Sequence, residues 1–338
     1  MSDFKLIKDP FARRSFITGA AKAMLGIGAM PMLSQLAAAS PAAPAKIGNK
    51  VGGKAKSVIY LYMDGGMSHL DTFDTKPGAE TQGPVESIKT SADGVMISEY
   101  FPSLAKQMHN VAVINSMNST QGSHGHGRYY MHTSYFKRGT IQHPDLGAWS
   151  SRMLKSPNRS LPSNVKIGGS SSGLGAGYFE SKYSALPIGD PEAGLQYSQL
   201  YKDVTPNRFT ARLKKLNDMN AGFSKKFDIK QARAYASMYD EAVSLMKSKD
   251  LAVFDLTQEK DEVRDRYGRG KFGQGCLLAR RLVENGVKYI EVDNGGWDSH
   301  GNNFRQVEAK GAVLDQALSA LLADLEASGL LKTTLVVV

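Results

Sequence analysis

Cysteine is almost missing from this chain: its 338 residues hold one, Cys276. That excludes an intramolecular disulfide, a CxxC redox centre and a cysteine-based zinc knuckle. Cys276 sits in Gly275-Cys276-Leu277-Leu278-Ala279, with no histidine beside it. That is the setting of a small buried apolar residue on a helix, not of a nucleophile. Long apolar runs are also lacking. The longest mild stretch, Gly19 to Leu36, is rich in Gly and Ala and is interrupted by Lys22, too weak for a stop-transfer helix. A basic domain is absent as well, despite a formal charge of +10. Residues 1–39 carry +3 and residues 40–56 carry +4, which leaves +3 for everything after them. The pairs Lys214-Lys215 and Lys225-Lys226 read as a solvated helix face. No nucleic-acid partner is expected.

The N-terminus has the form of an export signal. Arg13-Arg14 is followed by Ser15-Phe16-Ile17, the mild stretch, and small residues at Ala37-Ala38-Ala39 that offer an A-x-A cleavage site. This is the pattern of a bacterial twin-arginine signal peptide over residues 1–39. It implies the twin-arginine translocation machinery as partner, a periplasmic or secreted destination, and no stable membrane anchor. Residues 40–56 hold Pro41, Pro44, three glycines and four lysines without apolar periodicity, the composition of a flexible linker. Residues 57–338 are long enough for one large domain.

Within that domain, Val58 to Met63 is a short, nearly continuous apolar run of the kind found in central parallel strands. Val111 to Ile114 predicts a second strand, after a helix from Pro102 to His109. Asp145 to Leu154 predicts a short helix, Val165 to Ile167 a short strand, and Pro206 to Lys249 a mostly helical region with Phe209, Leu213 and Leu216 at one spacing. Phe272 to Glu284 predicts a helix stopped by Asn285-Gly286. Val287 to Val292 predicts a strand. A long helix follows, with Val313, Leu314, Ala317, Leu318, Leu321, Leu322 and Leu325 at helical spacing, and Gly329 ends it. Thr333 to Val338 predicts a last strand. Alternating strands and helices with buried-type strands give an α/β fold, a mostly parallel sheet sandwiched by helices. The chain stops on a core-type strand, which suggests that the domain is truncated at its C-terminus.

Ligands of such sheets gather beyond the carboxyl ends of the strands. Two glycine-opened stretches would lie there: Asp64-Gly65-Gly66-Met67-Ser68-His69-Leu70-Asp71-Thr72-Phe73-Asp74, and Gly295-Gly296-Trp297-Asp298-Ser299-His300. Carboxylates and imidazoles at strand ends are what a divalent-metal site needs. In the first stretch Asp64, Asp71 and Asp74 are alternative ligands. The plainer reading is a Gly65-Gly66 turn with Asp71 and Asp74 as caps. In the second, Asp298 and His300 can converge on one cation, while Trp297 packs against the sheet edge. A third segment holds His124, His126, Arg128 and His132. A helix N-terminus there can hold an anion, and its three histidines can equally be metal ligands.

The stretch from Gly65 to Pro77 strongly resembles the opening of the bacterial family called domain of unknown function 1501. His143-Pro144-Asp145-Leu146-Gly147-Ala148-Trp149 and Gly296-Trp297-Asp298-Ser299-His300 resemble later blocks of it. The resemblance covers Ser57 to Val338. It implies an alkaline-phosphatase-like fold, shared with sulfatases, and a two-metal site at the strand ends. Asp64 stands where that superfamily places its first metal-binding Asp. Arg128 and Thr133 fall at the spacing of the sulfatase segment that carries nucleophile and Arg, with Ser134 in place of its Gly and His124 at the nucleophile position. The resemblance thus implies an exported metal-dependent hydrolase of a phosphate or sulfate ester. Asp64, Asp298 and His300 would hold the metal, with Zn, Ca, Mg and Mn all compatible, and His124 and Arg128 would face the anion. The alternative is a secreted binding or structural protein on a degenerate hydrolase scaffold.

Overall fold

The computed structural model describes residues 53–338 apart from 155, 159, 170–174 and 228–229. The export signal and most of the linker lie outside the described residues. Among the described residues no helix is long and apolar enough to cross a membrane.

Strands β1 (Ser57–Met63), β4 (Asn164–Ile167), β5 (Leu186–Ile188), β6 (Tyr289–Asn294) and β7 (Thr334–Val337) form one sheet in the order β5-β4-β6-β1-β7. Every pairing in it is parallel. A separate antiparallel pair joins β2 (Ser87–Lys89) to β3 (Met96–Ser98). The helices are α1 (Pro102–Ala105), α2 (His124–Thr133), α3 (Leu146–Met153), α4 (Pro206–Lys226), α5 (Lys230–Lys247), α6 (Asp261–Tyr267), α7 (Lys271–Glu284) and α8 (Asn303–Ala327). The fold is therefore α/β with a parallel sheet flanked by helices, as the alternation of elements requires.

The two faces of the sheet differ sharply. Successive side chains of a strand point to opposite faces, and Val165, Ile290 and Ile59 stand in register across β4, β6 and β1, followed by Ile167, Val292 and Leu61. All six are buried. Helix α7 lies on this face, where a Cβ at Gly275 would come within 2.9 Å of Val292, so glycine allows the close approach. Cys276 is fully buried in the same core, and burial pushes its thiol well above the ordinary range. The other face carries Lys166, Glu291 and Tyr60 in one row, then Asp293 and Tyr62 in the next.

Several boundaries differ from expectation. Val111 to Ile114 is no strand. The chain is extended at Val111, but it joins no sheet among the described residues. Val111 and Val113 pack against the core while Ile114 is 67% exposed. An apolar tetrapeptide with alternate residues in solvent satisfies its backbone without strand pairing, so apolarity alone overcalled it. The helix predicted from Pro102 is one turn, α1, followed by a 3-10 turn at Met108–Asn110. Its N-terminus is capped from a distant element, since Asp315 of α8 accepts from the Leu104 N–H at 2.7 Å. The region from Pro206 breaks into α4 and α5, and Phe209, Leu213 and Leu216 form a half-buried stripe on α4.

Candidate metal centre

Register sets the site. Met63 pairs with Asn294 at the carboxyl ends of β1 and β6, so the two glycine-opened loops leave the sheet side by side. They are then stitched together: Asp64 N–H donates to the Asn294 carbonyl at 3.1 Å, and Trp297 N–H donates to the Asp64 carbonyl at 3.1 Å. Gly65 makes this contact possible. Its φ is +115°, and a Cβ there would lie 2.4 Å from the Asp298 nitrogen, so both conformation and space demand glycine. Trp297 is buried under the loop, with Lys310 Nζ 5.8 Å from its ring centre, as a residue packing the sheet edge should be.

Helix α2 completes the arrangement from above. His124 at its first turn and His300 both place Nε2 2.9 Å from Asp298 Oδ2. One ligating atom from each of these three residues falls within 4.8 Å of the others, and all three side chains are exposed. Donors about 2.0–2.1 Å from a tetrahedral ion lie about 3.3 Å apart. The two 2.9 Å separations from Asp298 fall a few tenths of an ångström short of that, and the two imidazole nitrogens lie within 4.8 Å of each other. Two imidazole nitrogens and one carboxylate oxygen are a donor set of the catalytic-zinc kind, with a fourth position left to water or substrate.

The remaining predicted residues take other places. Asp64 is paired with Arg128 of α2, and Tyr62 also hydrogen-bonds that guanidinium. Asp71 is buried away from the cluster, accepting from Ser68 Oγ at 2.6 Å and Asn303 Nδ2 at 2.8 Å. Asp74 pairs with Lys76 at 2.8 Å and accepts from Asn115. Asp71 and Asp74 thus tie the loop to α8 and to the chain beyond β3. His126 is exposed and outside the cluster. Ser134 adopts φ +60° at the C-terminus of α2, the left-handed position that a glycine usually fills.

Beneath the exposed cluster lies a buried polar one that sequence reasoning did not assemble. His132 Nε2 meets Glu291 Oε1 at 3.0 Å, and Lys166 Nζ reaches the same oxygen at 2.7 Å and Asp293 Oδ2 at 3.3 Å. Tyr62 packs edge-on to the His132 ring at 4.4 Å. Burial alone would raise the Glu291 carboxyl, but the His132 hydrogen bond and the charges of His132 and Lys166 outweigh it and hold it down at about 2. Burial dominates at Asp293, opposed by Lys166 and aided by Glu291, and pushes it up to about 6. Burial likewise pushes Asp145, the N-cap of α3, up to about 6 against its bond from the Ala148 N–H. Burial would lower His132, yet Glu291 raises it on balance. The signal for this cluster was present in the sequence as charged residues inside buried-type strands, Lys166 between Val165 and Ile167, and Glu291 between Ile290 and Val292.

Residues 55–338 match the family described as "Protein of unknown function (DUF1501)". No curated protein and no solved structure matches the chain.

Proposed function

We propose, for a chain that belongs to the DUF1501 family, that it is an exported metal-dependent hydrolase of a phosphate or sulfate ester, related to the alkaline-phosphatase and sulfatase superfamily. The observation that carries this reading is the convergence of His124, Asp298 and His300 at the carboxyl edge of a parallel sheet. A divalent cation held by these three would polarise an ester oxygen and lower the pKa of a bound water. Arg128 lies one helical turn beyond His124 on the same helix face, held by Asp64 and Tyr62. Its fork and the N-terminus of α2 supply positive potential beside the cluster, which suits an anionic group. The twin-arginine signal supports delivery to the periplasm or beyond with the metal already bound.

A second reading, a non-catalytic binding protein, is favoured by one observation. The Asp64 carboxylate is engaged by Arg128, so it is not a free ligand, and Arg128 is partly neutralised. The test is to purify the full chain, measure bound Zn, Mn, Ca and Mg by mass spectrometry, and assay p-nitrophenyl phosphate and p-nitrophenyl sulfate. The hydrolase reading predicts stoichiometric metal and turnover, both lost in Asp298→Asn. Metal without turnover would leave the binding reading in place. Absence of metal after reloading at micromolar concentrations would sink both the site and the hydrolase.

A further inference from the structure

Helix α4 runs for 21 residues, from Pro206 to Lys226, and none of its described residues is buried. It packs against α5, and Phe209, Leu213 and Leu216 are its half-buried stripe. The next line of positions along the helix is Arg208, Arg212, Lys215, Met219, Phe223 and Lys226. Their spacings alternate between three and four, so the six share one face. All six are exposed, Met219 at 65%. The face is about 27 Å long by the helical rise. It continues into Phe227, whose ring centre lies 5.0 Å from that of Phe223 and 5.4 Å from Lys226 Nζ. Ahead of the helix Tyr201 is exposed and Tyr197 is 95% exposed.

Charge is concentrated on this helix. It carries six Lys/Arg and one Asp, a charge of +5 in 21 residues, within a domain that totals only +3. Among the described residues Arg212, Lys214, Lys215, Lys225 and Lys226 form no ion pair, and Arg208 donates to the Asp203 carbonyl at 3.1 Å. The stability of the helix itself does not account for these cations. Lys225 and Lys226 suit the negative end of the helix dipole, but Arg208 stands in the first turn, which holds no acid to offset it. Arg208 and Arg212 are four apart and Arg212 and Lys215 are three apart, spacings at which like charges repel.

The occupant of this face must accept positive charge and apolar side chains along one convex line. A second copy of the chain brings the same +5 and is repelled. A nucleic-acid backbone satisfies the cations and leaves Met219 and Phe223 without an apolar partner. An anionic lipid bilayer supplies both, with phosphates at its surface, hydrocarbon just beneath and a plane that takes the whole length of the helix. Exposed tyrosines beside the helix suit the same boundary, where one end of the ring is apolar and the other wet. We propose that α4 is an interfacial helix that docks the protein reversibly on an anionic membrane. Met219 and Phe223 enter the headgroup layer, and Arg212, Lys215 and Lys226 meet lipid phosphates. The helix lies on the bilayer and does not span it. The docking face is separate from the cluster of His124, Asp298 and His300 and does not depend on that cluster being catalytic.

The test mixes the full chain with vesicles of equal parts phosphatidylglycerol and phosphatidylcholine, or of phosphatidylcholine alone, and reads binding by co-sedimentation. Anionic vesicles should bind it at least roughly tenfold more tightly than neutral ones. Arg212→Ala, Lys215→Ala and Lys226→Ala combined should weaken that binding roughly 100-fold, the summed effect of three surface cations. Arg212→Lys should leave it unchanged. Residues 1–39 are the same in every variant, so a lipid affinity of their own cannot produce the difference. Cys276 is fully buried, so Met219→Cys takes an environment-sensitive dye at one place, and its emission should shift to the blue on anionic vesicles. The substituted side chains are all exposed, and circular dichroism checks that the fold is kept. Equal binding to both kinds of vesicle overturns the proposal. So does binding that the triple variant leaves unchanged, or a dye that stays in water while the protein sediments with lipid. Capture by heparin or an oligonucleotide with no binding to vesicles assigns the face to another polyanion and also overturns it.

Discussion

His132 of α2 and Glu291 of β6 are 159 positions apart and meet at 3.0 Å with both side chains almost wholly buried. This contact, with Lys166 on the same carboxylate oxygen, pins the helix that carries His124 onto the strand that leads to Asp298. The buried row is thus the foundation on which the exposed cluster of His124, Asp298 and His300 is aligned.

Removing Glu291 leaves the buried His132 without its carboxylate and Lys166 with Asp293 alone. Glu291→Ala should lower unfolding free energy by about 3–5 kcal/mol, the usual cost of breaking a buried ion pair from one side. Urea denaturation followed by circular dichroism measures it. A loss below about 1 kcal/mol would show that Glu291 does not anchor α2.

Stability should peak in weak acid. The Glu291 carboxyl sits below its ordinary value, at about 2, so its contribution is full above about 4.5 and is lost as pH falls toward 2. Asp293 and Asp145 are raised to about 6. The folded state binds more protons than the unfolded state between about 4 and 6, and stability falls as pH rises through that window. The raised His132 extends the decline, since its contribution is full below about 6.5 and is lost as pH climbs through its folded value. Thermal unfolding from pH 3 to pH 9 should show this shape, and Asp293→Asn should flatten the fall between pH 4 and pH 6. A wild-type profile that rises steadily from pH 4 to pH 8 would contradict the assignment.

Gly65 is where the two glycine-opened loops touch. Gly65→Ala combines a forbidden φ of +115° with a Cβ overlap on backbone atoms of Trp297 and Asp298. It should cost roughly 1–3 kcal/mol of stability and displace Asp298. Zinc affinity by calorimetry should drop at least tenfold, and an unchanged affinity would mean that Asp298 is not a ligand.

Metal binding should be visible as stabilisation. With free Zn²⁺ at a hundred times its dissociation constant, the native state gains about 2.7 kcal/mol, read as a higher melting temperature that EDTA reverses. His300 is highly exposed, so His300→Ala should leave the metal-free melting temperature unchanged while removing most of the zinc-induced rise. A rise of equal size in the variant would exclude His300 from the site.

The legible parts were those with a local cause. The apolar run of β1, the Asn285-Gly286 stop after α7 and the leucine stripe of α8 each encode their own element, and the order of those elements encodes a parallel sheet. The placement of Asp298 and His300 at the carboxyl edge of the sheet was legible for the same reason, because a glycine-rich turn after a buried strand opens there. Val111 to Ile114 misled because apolar composition reports burial and not pairing.

What the sequence determined alone is the class of fold, the edge on which a site would form and the residue types available there. The tertiary structure decided which of them meet. It brought His124 to Asp298 and His300, turned Asp71 inward to Ser68 and Asn303, spent Asp64 on Arg128, and buried Glu291 against His132 and Lys166. The physical reason is range. Helix and strand formation depend on side chains within a few positions of one another, whereas a ligand set depends on strand register and helix docking between segments more than a hundred residues apart.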